Sequence, residues 1–249
     1  MPRAITTRYP ESAGISPVSA SRPRLQQAAW FVGVSATAFL VPLVFSSWLA
    51  LHHDVYYLVY FMVAVAVLGA YFWANGINLT EMMTNNWQLS IGLGVPAAAF
   101  VTWSVFARID ATPHPSGGYF VFEIVWRGMV YGVVDALLLS AFPGLIAREL
   151  MQRKVAGARR RISYGALTLT LVMIITATYH AGYKDLQTVR GIVQPEIGNS
   201  IISVPVIASA NPVGSVLAHL SMHLAAVTHS YESKDRLPPQ VFVGRASNP

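Results

Sequence analysis

The chain contains no cysteine, and only 11% of its 249 residues carry a formal charge. The first absence excludes disulfides, thiolate metal sites and a cysteine nucleophile. The second sets the chain apart from soluble domains, in which about 25% of residues are charged. What fills the space is apolar: 54% of residues are hydrophobic and the mean hydropathy is +0.47. This is the composition of an integral, multi-pass membrane protein, all-α, folded as a transmembrane helical bundle. The net charge of +6 is then an orientation signal and not a nucleic-acid one. Membrane lipid is the expected partner.

Residues 1–27 are rich in Ser, Pro and Arg and lack an apolar period, which predicts a disordered basic tail. The apolar run that follows is too long for a secretory signal and lacks its small-residue cleavage pattern. Spans are expected over roughly 28–51, 55–77, 88–107, 119–147 and 163–183, each near the ~20 residues a bilayer requires. The last apolar region, Ile197 to Thr228, is interrupted by Pro205 and by Asn211-Pro212. A break near Pro212 predicts a short half-helix and then a helix from Val213. The expected transmembrane domain is thus 28–229, with about six spans, followed by a polar tail over 230–249.

Lys and Arg give the orientation. They gather in the N-terminal tail (Arg3, Arg8, Arg22, Arg24), after the fourth span (Arg148 to Arg161) and in the C-terminal tail (Lys234, Arg236, Arg245). An even number of crossings puts all three segments on one side, with both termini cytoplasmic.

Function concentrates in a few ionisable groups inside apolar runs. Burying each costs at least about 2.5–3.5 kcal/mol on insertion scales, so they persist when they pair or act. Glu123 and Arg127 are four apart and share a helix face. His180 ends the fifth span. His219 and His223 in the last region are again four apart, which is also metal-ligand spacing. Asp135, twelve residues after Glu123, reads as a polar packing group. His219 meets Glu123 and His180 if the final helix starts near Pro212; an unbroken helix from Asn199 would carry it about 30 Å away.

The run Glu123-Ile124-Val125-Trp126-Arg127-Gly128 resembles the first motif of the CPBP family, which includes the type II CAAX prenyl endopeptidases: two glutamates, three residues, arginine, then glycine. Thr176-Ala177-Thr178-Tyr179-His180 resembles the second motif, with Thr176 where phenylalanine is expected. His219-Leu220-Ser221-Met222-His223 resembles the third, with His223 in the asparagine position. The resemblance covers about 119–229. It implies a CPBP-like helical core and an intramembrane glutamic-type endopeptidase acting on a membrane-associated peptide or protein. It also implies that Glu123 orients or activates water, Arg127 positions Glu123, and His180, His219 and His223 hold water and the oxyanion. Phe122 stands in place of the first motif glutamate, the water-activating one. No cofactor is implied. Two alternatives remain open. One is a non-catalytic relative that binds or scaffolds a membrane partner. The other is a metal-binding membrane protein using the three histidines and Glu123.

Overall fold

A computed structural model describes residues 24–232; the expected tails lie mostly outside them. Among the described residues all regular structure is helical. The helices are α1 (Arg24–Trp48), α2 (His53–Asn75), α3 (Leu79–Thr84), α4 (Trp87–Arg108), α5 (Gly117–Leu150), α6 (Ala158–Ala181), α7 (Val189–Ser209) and α8 (Val213–His229). Five of them, α1, α2, α4, α5 and α6, are long and apolar enough to cross a membrane, which makes this a membrane-embedded helical protein. α1 begins earlier than the apolar run because Gln27 is buried: its amide donates to Asn75 Oδ1 at 2.8 Å and accepts from the Tyr71 hydroxyl at 3.2 Å.

α5 is the central helix. In its most apolar 18-residue window 78% of residues are buried inside the protein, against 33–39% for the other four spans. It is not regular: residues Ile124–Val130 and Leu137–Ala141 have π-helical hydrogen bonding. Such widened turns redirect side chains and recur at functional sites. Gly128 and Gly132 form a small-xxx-small seam against α8. A Cβ on Gly128 would lie 2.8 Å from Leu224, and one on Gly132 3.2 Å from the Cβ of His223. Small residues at this spacing let two membrane helices approach closely.

The break at the end of α7 is real and well anchored. Ala210 takes a left-handed conformation, φ 56°, and Asn211 locks the turn. Its amide donates to the carbonyls of Met82, Met83 and Asn85, and its Oδ1 accepts from Val213 N–H. α8 then runs alongside α4 in the same direction. Gly214 N–H donates to Ser90 Oγ at the start of α4, and His229 sits against the carbonyl of Ile109 at its end. Gly214 permits this approach, since a Cβ there would overlap the Ser90 carbonyl.

The helix before the break is longer than the short half-helix expected there: α7 has 21 residues. α7 and α8 both run the length of the bundle, but neither is among the five helices long and apolar enough to cross a membrane. Arg24 lies at the end of the bundle that holds Asn75 and the Asn211 turn. Glu232 lies at the opposite end, its N–H donating to Thr112 Oγ1. Residues 24 and 232 therefore lie at opposite ends of the described helical bundle. α7 carries Glu196, Asn199 and two prolines within its length.

Candidate functional site

Two ionisable clusters lie along α5. The first is built on Glu123 and Arg127. Arg127 Nη1 donates to Glu123 Oε2 at 3.1 Å, and both side chains are fully buried. The guanidinium is flanked by two aromatic faces, Tyr57 at 5.3 Å and Tyr231 at 4.4 Å. Such cation–π contacts strengthen when desolvated. Burial raises the Tyr231 phenol above its ordinary pKa, so it sits there as a neutral hydroxyl. The other carboxylate oxygen, Oε1, is 3.9 Å from His53 Nε2, and His53 leads to Asp54 and Tyr119. Neither Glu123 nor Arg127 lines a described cavity. Phe122 is 48% exposed and stacks near Trp126 on the outward side of α5.

The second cluster lies three turns further along. Asp135 is 4% exposed, His219 and His223 2% each. Asp135 Oδ2 accepts from His219 Nε2 at 3.1 Å and lies 3.5 Å from His223 Nε2. Its other oxygen, Oδ1, accepts from the Tyr60 hydroxyl at 2.7 Å. The two imidazoles are nearly parallel, 5.1 Å between centroids, because residues four apart on α8 stand one above the other. Tyr131 meets His223 edge-on at 5.0 Å. His219 Nδ1 and both ring nitrogens of His223 are buried without a hydrogen-bond partner.

This second cluster forms the buried end of a cavity of about 490 Å³. His180 lines the same cavity, as do Tyr131, Tyr179 and Asn199, and the rim carries Asp185, Thr188, Arg190 and Gln194. A carbonyl only accepts, so the 2.8 Å contact of His180 Nδ1 with the Thr176 carbonyl fixes the proton on Nδ1. Nε2 of His180 is left as a base. Thr176 also receives the amide of Asn199 at 2.7 Å, which ties α6 to α7 beside the cavity. A ladder of phenols, Tyr131 to Tyr179 at 2.5 Å and Tyr179 to Tyr183 at 2.7 Å, continues to Tyr56.

Of the five residues the sequence singles out, His180, His219 and His223 share the cavity, and Glu123 with Arg127 lies outside it. The carboxylate beside the histidines is Asp135. Asp135, Tyr60 and Asn199 carry no motif; the available signal was the Gly128/Gly132 spacing, which marks the close α5–α8 contact one turn before Asp135. Asp135, His219 and His223 offer ligand atoms within 4.8 Å of one another, as do the less buried His52, His53 and Asp54. No family model, curated protein or solved structure matches the chain.

Proposed function

We propose that the chain is an intramembrane hydrolase, an endopeptidase for a membrane-associated peptide, with its reactive centre at Asp135, His180, His219 and His223. The observation that carries the reading is a buried carboxylate–imidazole cluster at the closed end of a cavity with a polar, exposed rim. Peptide hydrolysis requires a base, a water and donors for the developing oxyanion. His180 Nε2 takes a proton as water oxygen bonds to the carbonyl carbon. His223, whose ring nitrogens have no hydrogen-bond partner, serves the oxyanion as donor, while the single N–H of His219 is held by Asp135. The proton then passes to the amide nitrogen as the C–N bond breaks. Glu123 and Arg127 brace α5 and do not touch substrate.

The order of the three partial motifs supports kinship with the CPBP family. On this reading the second and third motifs supply reactive groups and the first supplies support. α7 and α8 cross the bilayer together with the five apolar helices. The face with Arg24, Arg148, Arg153, Lys154, Arg159, Arg160 and Arg161 is cytoplasmic, and the cavity rim lies opposite.

The test is hydrolysis of a peptide library by the full chain in vesicles, read as new termini by mass spectrometry. His180→Ala is expected to lose about 10²- to 10⁴-fold, the range for a general base. Full activity in both His180→Ala and Asp135→Asn contradicts the reading. The outward-facing Phe122 favours a second reading, a cavity that binds without cleaving. That protein would be stabilised by peptide and release no product.

A further inference from the structure

We propose that Asp135, His219 and His223 bind one divalent transition metal ion of the zinc class, with the cavity supplying its open coordination position. The metal site stands on its own geometry; only its use in hydrolysis rests on the function proposed above.

Three donor atoms converge. Nε2 of His219 and Nε2 of His223 lie 3.1 and 3.5 Å from the same carboxylate oxygen. Ligands bound at about 2.0–2.1 Å around a tetrahedral ion are about 3.3–3.4 Å apart, so these separations match the edges of a coordination shell. Protons alone do not satisfy the group. One N–H from His219 occupies Asp135 Oδ2, and His223 is left with neither nitrogen hydrogen-bonded in a buried site. A buried polar atom without a partner costs about 1–3 kcal/mol. A cation between the three donors serves all of them at once.

The surroundings are those of a metal ligand set. Tyr60 donates to the far oxygen of Asp135 and fixes which oxygen faces the imidazoles. Tyr131 holds the ring of His223. The remaining side opens on the cavity and on His180, as a catalytic site with three protein ligands requires. Two histidines and a carboxylate suit zinc and also ferrous iron. Binding displaces the protons on the ring nitrogens, so affinity falls as pH falls.

The experiment uses the full chain, tag removed, in detergent. Bound zinc is measured by atomic emission after titration with zinc chloride, alongside the Co(II)-loaded visible spectrum and the unfolding temperature. About one zinc per chain is expected, with a raised unfolding temperature. Asp135→Asn and His223→Ala should each abolish it. Tyr60→Phe keeps every ligand and the fold, and should weaken binding by about 10- to 100-fold. His53→Ala removes the other candidate cluster and should leave zinc uptake unchanged. A wild-type chain that takes up no zinc, iron or cobalt overturns the proposal. So does zinc that survives Asp135→Asn and His223→Ala, or that is lost in His53→Ala. Zinc bound without peptide cleavage removes the hydrolase reading and leaves the site. Cleavage by a metal-free, chelator-treated chain that still takes up zinc leaves both the site and the hydrolase and removes the metal's use in hydrolysis.

Discussion

The two ends of α5 solve the same problem differently. At Glu123 a buried carboxylate meets a buried guanidinium at 3.1 Å, and aromatic faces close over the pair. At Asp135 a buried carboxylate meets two imidazoles, and the group opens onto about 490 Å³ of cavity. The first cluster is neutralised internally and walled off, which suits a brace. The second leaves buried ring nitrogens unpartnered on residues that line a cavity, which suits chemistry. An ionisable residue in a membrane span is a functional candidate by default; both clusters hold an unpartnered buried atom, and contact with the cavity decides between them.

The comparison breaks most visibly at the brace. Arg127→Ala leaves Glu123 buried and unpaired, and should cost about 3–5 kcal/mol, measured by denaturant unfolding in detergent. Replacing both partners together, Glu123→Leu with Arg127→Met, should recover most of that loss, because an apolar pair carries no desolvation penalty. A smaller effect is expected at the seam. Gly132→Ala puts a methyl 3.2 Å from the His223 Cβ and 3.3 Å from its Cδ2. Leu220 Cα is also 3.3 Å away, so both the imidazole and the α8 backbone must give by a few tenths of an ångström; since a shift of about 1 Å can cost about 10²-fold, cleavage should fall about tenfold, with a lower unfolding temperature. The smallest effect is expected at Phe122→Leu, within about 0.5 kcal/mol as for an outward substitution, with cleavage unchanged.

Sequence and structure agree where the physics is local. The pairing of Glu123 with Arg127 and of His219 with His223 follows from spacing of four on a helix, and the break before Val213 follows from Asn211-Pro212. Asp135 was not legible as a site residue for two reasons. Its partner His219 lies 84 positions away. Regular 3.6-residue geometry would set it about 120° around the helix from Glu123, but the π-helical stretch over Ile124–Val130 turns less per residue and removes that reference. The length of α7 was not legible either, because Glu196, Asn199 and two prolines break its apolar pattern while it packs against α4 and α6.

The most direct measurement sets Asp135→Asn beside Glu123→Gln in one peptide-cleavage assay, with unfolding temperatures recorded for both. The account predicts that Asp135→Asn loses cleavage while the protein remains folded. Glu123→Gln keeps cleavage within a few-fold, its remaining effect falling on stability. Loss of cleavage in a well-folded Glu123→Gln, with activity retained in Asp135→Asn, would contradict it and move the reactive centre to the first cluster.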